Sequence, residues 1–317
     1  MNNLKTILLT LYASLLTLCL QAQQKDIKFT SLTTEDGLSS NTVNAILKDK
    51  YGMIWFGTED GLDRFDGTRF TVYRHRPDDS SSLKANEILS LHEDKDGNLW
   101  IGTSGGSLSL YDRKSDAFIN FPSTGKANTI HNNVIRSICS DHTGKIWVAH
   151  FDGVNILDPK IGQITGLPRM KGQPANFFDQ ISICLFEDSF QNMWIGTNKG
   201  LFRYNFEINS FVQFAHADAD SASLCGDVIT SITQDKTGNL WVGTDKGLSM
   251  LRPGSTRFTN FRHKENNAQT LSSNAINSVA TDGDKLWIGT SEGLNIFDTH
   301  TGEIAKFIPD PRNIHSL

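Results

Sequence analysis

Between residues 41 and 308 the chain alternates short apolar runs with polar turns, and almost nowhere carries the apolar spacing of an amphipathic helix. The first stretch shows the order of events. Val43 to Leu47 is a short apolar segment, and Asp49-Lys50-Tyr51-Gly52 is a turn whose Gly supplies the positive φ that other residues resist. Met53 to Gly57 reads as a second strand, Thr58-Glu59-Asp60-Gly61 turns the chain back, and Leu62 to Phe65 returns. Asp66-Gly67 then makes a tight hairpin and Arg69 to Tyr73 closes the unit. The pattern predicts four short antiparallel strands.

This unit recurs. All six tryptophans occupy one position of it, Trp55, Trp100, Trp147, Trp194, Trp241 and Trp287, spaced 45, 47, 47, 47 and 46 residues apart. Around each, an Asp or Asn opens an apolar stretch, an Asp-x-x-Gly turn follows, then Trp-x-Gly-Thr, a Gly-Leu pair and a closing Phe-x-x-aromatic; Asp227 to Phe261 shows it most fully. A period of this length means one supersecondary unit per repeat, each unable to bury its apolar face alone. Four-stranded units repeated radially are the blades of a β-propeller. The prediction is an all-β protein whose region 23–317 holds six visible blades, near 41–75, 86–121, 133–167, 176–214, 227–261 and 274–308. Each Trp is expected to be structural core between blades, and the Gly two residues later to leave room for the adjacent sheet.

The pattern looks cut at both ends. Residues 27–34 read as a spare closing strand, since Phe29-Thr30-Ser31-Leu32 resembles Phe211-Val212-Gln213-Phe214 but has no blade of its own. Pro309 to Leu317 reads like the linker before a repeat: compare Ile314-His315-Ser316-Leu317 with Ala222-Ser223-Leu224. The expectation is a fragment of a seven-bladed ring.

Composition adds the compartment. Lys5 precedes an apolar run from Ile7 to Leu20, short for a membrane span of about 20 residues, so residues 1–22 read as a signal peptide cut after Ala22. Cys19 raises lipid attachment as the alternative, but Leu18 stands where a small residue is usual. The mature chain is thus expected to be exported to the periplasm. The full chain's 35 acidic and 30 basic side chains are spread evenly, which leaves no basic stripe for nucleic acid. Cys139, Cys184 and Cys225 lie at non-equivalent repeat positions, so neither a disulfide framework nor a thiolate metal site is expected. His75, His216 and His263 each follow a closing aromatic by two residues. Equivalent positions on different blades are held apart, so loop hydrogen bonds are the expectation, with no metal and no cofactor.

The phrase Asp36-Gly37-Leu38-Ser39-Ser40-Asn41-Thr42-Val43, followed by Ile54-Trp55-Phe56-Gly57-Thr58 and Gly61-Leu62, resembles the opening of the two-component regulator propeller family. The resemblance runs from about Phe29 to the end. It implies the periplasmic sensor region of hybrid two-component histidine kinases of Bacteroidetes. Such sensors carry two propellers, a small β-sandwich, a membrane helix, a kinase, and often receiver and DNA-binding domains. They typically recognise an oligosaccharide and switch on polysaccharide-utilisation genes. Implied partners are therefore an oligosaccharide, the missing C-terminal sensor and kinase domains of an inner-membrane-anchored parent, and a second copy in a homodimer.

Departures from the repeat are where function tends to be grafted. Repeat three replaces Gly-Thr by Ala149-His150, followed by Phe151-Asp152: His150 and Asp152 could hydrogen-bond sugar hydroxyls and Phe151 could stack on a ring, or the blade has simply drifted. The approach to repeat four carries Phe177, Phe178 and Asp179, a ligand platform or a plug of the blade interface. The long linkers 74–84, 123–132, 169–175, 215–226 and 262–273 are polar and share one face of a propeller, a usual home for binding residues. Against these stand an enzyme and a pure assembly scaffold. Asp141 to Trp147 is similar to the tryptophan-docking motif of quinoproteins, but Cys139 stands where that motif has Ala. A lyase would need a catalytic His on the linker face. No carboxylate pair, nucleophile elbow or metal signature is present, so no catalytic residue is expected.

Overall fold

The computed structural model describes residues 27–167, 181–310, 312 and 316–317; the expected signal peptide lies outside them. One unit, Leu32–Pro309, holds every strand, and residues 27–31 group with those from 310 onward in a second, small unit. Six four-stranded antiparallel sheets follow one another in chain order round a ring. Blade 1 is β1 (Val43–Lys48), β2 (Ile54–Thr58), β3 (Gly61–Phe65) and β4 (Phe70–Tyr73), within a residue or so of the strands its pattern predicts. Blade 2 is β5 (Ile88–Glu93), β6 (Leu99–Thr103), β7 (Leu108–Asp112) and β8 (Ala117–Phe121). Blade 3 is β9 (Ile135–Ser140), β10 (Ile146–His150), β11 (Gly153–Asp158) and β12 (Gln163–Gly166). Blade 4 is β13 (Ser182–Glu187), β14 (Met193–Thr197), β15 (Gly200–Asn205) and β16 (Ser210–Phe214). Blade 5 is β17 (Ile229–Gln234), β18 (Leu240–Thr244), β19 (Gly247–Leu251) and β20 (Phe258–Phe261). Blade 6 is β21 (Ile276–Asp282), β22 (Lys285–Thr290), β23 (Gly293–Asp298) and β24 (Ile304–Phe307).

Five of the six Trp side chains, all but Trp287, are covered by the blade that follows them. Trp55 packs with Leu99, Ile101 and Tyr111 of blade 2, Trp100 with Ile138 and Val148 of blade 3, and the same offset recurs at Trp147, Trp194 and Trp241. Their polar edges are satisfied too. The indole Nε1 of Trp55, Trp100, Trp147, Trp194 and Trp241 donates to the carboxylate six residues earlier, Asp49, Asp94, Asp141, Asp188 and Asp235, at 2.7 to 3.0 Å. The other oxygen of that carboxylate accepts turn amides two and four residues on, as Asp94 does from Asp96 and Asn98. One Asp thus closes the turn and anchors the indole. Burial alone would raise the Asp94 carboxyl, but the Trp100 and Asn98 donors outweigh it and hold it below its ordinary pKa.

The Gly after each Trp makes the close approach possible. A Cβ on Gly57, Gly102, Gly196 or Gly243 would stand 2.7 to 2.8 Å from the Cγ2 of Ile88, Ile135, Ile229 or Ile276, the residue that opens the next blade. Blade 4 opens with Ser182 instead, which leaves room for the methyl of Ala149 in the blade before it. Gly243→Ala is therefore expected to cost about 1–3 kcal/mol by overpacking in urea unfolding. At Gly289 the nearest atoms belong to Ser278 of its own blade, so Gly289→Ala should cost under about 1 kcal/mol. Equal losses would contradict the assigned packing.

The junction between blade 6 and blade 1 differs from the other five. Innermost strands meet in the pairs β1 with β5, β5 with β9, β9 with β13, β13 with β17 and β17 with β21; among the described residues β21 and β1 share no comparable packing. Trp287 is half-buried where the other indoles are buried, and position 281, where its Asp would stand, is Thr. On the other side, Ile46 is 66% exposed, whereas its counterparts Ile138 and Ile232 are 6% and 9% exposed. Residues 27–33, expected as part of a closing strand, form no strand, and Thr34–Asp36 make one capped 3-10 turn. In the second unit, Asp310 N–H donates to Ser316 Oγ at 2.9 Å, the bond that Arg76 makes to Ser82 and Ala217 to Ser223 in the blade linkers.

Candidate functional site

In each blade the turn between the second and third strands shares a face with the linker to the next blade. The Asp-x-x-Gly turns and the hairpins between third and fourth strands lie on the opposite face. On the linker face the second strand ends in Thr in five blades: Thr58 and Thr244 each accept the amide two residues on and donate to the Gly carbonyl three residues on. In blade 3 the residue is His150.

His150 is fully buried and uses both ring nitrogens. Nδ1 accepts the Asp152 amide at 3.1 Å, the bond that the Thr hydroxyl accepts elsewhere, and Nε2 therefore carries the proton and donates to Asn155 Oδ1 at 3.0 Å. Burial lowers the His150 pKa, as the neutral tautomer requires. Asn155 Oδ1 also accepts the His131 amide at 2.8 Å, and its Nδ2 reaches Thr165 O and His131 Nδ1, both at 3.2 Å. Asp63 and Asn295 receive the linker amides of Ser39 and Ser272 in the same way, so Asn155 is a repeat device.

The exposed members of the cluster lie in front of this network. Phe151 is 37% exposed with the Arg136 guanidinium 5.4 Å from its ring centre, and Asp152 accepts from Asn132 Nδ2 at 2.6 Å. The structure thus brings Phe151, Asp152, Asn132 and His131 together at the surface and sets the His150 ring behind them. Phe177, Phe178 and Asp179 lie outside the described residues. Elsewhere several linker polar groups are spent on the loops themselves. Asp79, Asp220 and Asn267 each accept the amide two residues on. His75, His216 and His263 place Nδ1 2.6 to 2.7 Å from the carbonyls of Leu83, Leu224 and Leu271. Among the described residues no three His, Cys, Asp or Glu side chains are grouped as a metal site, and no helix is long and apolar enough to cross a membrane. Burial raises the thiols of Cys139 and Cys184 to about 12.

Sequence reasoning passed over two features. The Trp-binding Asp was read only as the start of a turn, although an Asp six residues before Trp recurs in five repeats. A cleft between blades 4 and 5, on the face away from the linkers, had no signal beyond isolated departures from the repeat.

Six antiparallel four-stranded blades packed through one recurring Trp define the class as β-propeller. The chain carries the repeats of the two component regulator propeller family, whose profile matches residues 37–60, 82–105, 177–199 and 223–246. A stretch of 70 residues, 22% of this chain and 5% of the relative, is 47% identical to histidine kinase P4 of Formosa agariphila. The extracellular domain of the putative hybrid two component system BT3049 of B. thetaiotaomicron superposes with a TM-score of 0.77 at 27% identity, over 92% of this chain and 38% of that one. The chain therefore spans well under half of that kinase and of that extracellular domain. Virginiamycin B lyase from Staphylococcus aureus superposes over 85% of both chains with a TM-score of 0.63, and at 14% identity that likeness is one of fold.

Proposed function

We propose that the chain is a non-catalytic, exported sensor module of a periplasmic hybrid two-component histidine kinase, and that its linker face binds an oligosaccharide controlling polysaccharide-utilisation genes. The sensor reading is supported by the likeness to the extracellular domain of a putative hybrid system along nearly the whole chain. One observation favours a sugar. On blade 3 an exposed aromatic, Phe151, stands beside the carboxylate of Asp152 and the amide of Asn132, all fixed by a buried network. A sugar presents apolar C–H faces and hydroxyl edges, which such a pairing serves. His150 then acts as a positioning residue, and Phe177, Phe178 and Asp179 belong to the same proposed platform. The parent is anchored in the inner membrane, contributes further sensor and kinase domains, and works as a homodimer, while the open junction seats a seventh blade.

The test is calorimetry of the full exported region against plant and host glycans. Phe151→Ala and Phe178→Ala are each expected to weaken binding about three- to tenfold, and Asp152→Ala by a similar factor. Binding that all three variants leave unchanged would discard the site. Conversion of a glycan by the purified protein would overturn the non-catalytic reading.

A further inference from the structure

The junction between blades 4 and 5 holds a cavity of about 240 Å³ on the face away from the linkers, lined among others by Trp194, Phe190, Arg203, Gln234, Arg252 and Pro253. We propose that it binds a small hydroxy-carboxylate of the uronic acid class, taken by Arg203 with Arg252 at the rim.

The argument rests on a comparison within the chain. Arg64 and Arg203 hold the same position in blades 1 and 4, each directly opposite the Trp of the second strand. Both guanidiniums lie over that indole at 5.7 Å from its centre, and over the closing aromatic, Tyr73 at 5.5 Å or Phe214 at 6.0 Å. Arg64 donates to the Tyr111 hydroxyl at 2.8 Å and pairs with the Asp116 carboxylate at 3.5 Å, both supplied by blade 2. Blade 5 has the same strand register and hairpin length, and puts Leu251 where Tyr111 stands and Thr256 where Asp116 stands. The Arg203 guanidinium accordingly makes no hydrogen bond or ion pair among the described residues, and its buried Nε has no partner. A third exchange creates the space. Arg113, which fills the blade 1–2 junction by reaching Asp49 and Glu93, is replaced by Pro253.

Asp188 also lines the cavity, but its oxygens are taken by Trp194, Asn192 and the Phe190 amide. A half-buried guanidinium with an unpaired donor on an aromatic floor favours a planar anion. The two groups missing around Arg203 are one carboxylate and one hydroxyl. A hydroxy-carboxylate replaces both at once, and the exposed ring of Phe190 offers its apolar face a rim.

The experiment titrates the protein with galacturonate and, as the neutral counterpart, galactose, followed by calorimetry and by tryptophan fluorescence. Galacturonate is expected to bind with an affinity that falls as salt rises, and at least about tenfold more tightly than galactose. Arg203→Gln should lose at least about tenfold in affinity, while Arg64→Gln, at the already satisfied site, should leave it unchanged. The double variant Leu251→Tyr with Thr256→Asp rebuilds the internal partners and should block binding while melting no lower than the parent. No binding by the parent protein, equal binding of galactose, or full binding by Arg203→Gln would each overturn the proposal.

Discussion

Replacing Trp241 by Ala is expected to cost about 3–5 kcal/mol in urea unfolding, whereas the same change at Trp287 should cost under about 2 kcal/mol. The two residues hold the same repeat position, so the contrast isolates what covers them. Trp241 is buried against Leu286, Ile288 and Phe297 of blade 6 and donates to Asp235. At Trp287 blade 1 shares no comparable packing among the described residues, Thr281 stands in place of the Asp, and the residue is only half-buried. Removing a large buried side chain loses its transfer free energy and leaves a cavity, while a ring with one open side loses less and leaves no closed void. Equal losses would mean that the junction between blades 6 and 1 is packed like the rest.

The second large effect is on pH dependence. His92, on the innermost strand of blade 2, accepts the Ser140 amide of blade 3 through Nε2 at 3.0 Å, which requires the neutral ring. Burial takes its pKa from the ordinary 6.5 down to about 4, against a small upward pull from Asp94. The unfolded chain takes up this proton near pH 6.5 and the folded chain only near pH 4. The associated stability is therefore complete above about pH 6.5 and is lost progressively as the pH falls from there to about 4, a total of about 3 kcal/mol. His150, also lowered by burial, acts in the same direction. Urea unfolding at pH 7 and pH 4.5 should show this loss, and His92→Gln, which keeps an acceptor that does not titrate, should flatten it. An unchanged slope in that variant would remove His92 from the account.

What could be read from the chain was what each blade needs for itself. The Trp period, the four strands and the Gly after Trp are written once per unit, because every blade must close its turns and accept a neighbour. What escaped depends on pairs distant in sequence. The Ile that opens a blade faces a Gly some 30 residues before it, so the exchange of Gly for Ala149 makes sense only beside Ser182. His150 stood out as a possible ligand residue because it broke the pattern, yet its Nδ1 makes a bond that the Thr it replaces makes in other blades. The cleft at Arg203 is the converse. Leu251, Pro253 and Thr256 each look unremarkable, and their joint effect appears only against Tyr111, Arg113 and Asp116 in the same places.

The one-way order of packing, in which the indoles of the first five blades are each covered by the blade that comes after, also sets the timing of assembly. In a chain that emerges from its N-terminus, whether from a ribosome or an export channel, a finished sheet still shows its largest apolar group until roughly one more repeat has followed. At about 5–20 residues per second of synthesis, that interval is on the order of 2–10 s per blade. It recurs at every step, so the growing end always carries one uncovered indole. That moving tip, more than any site on the completed molecule, is where a chaperone for apolar surface would find its hold.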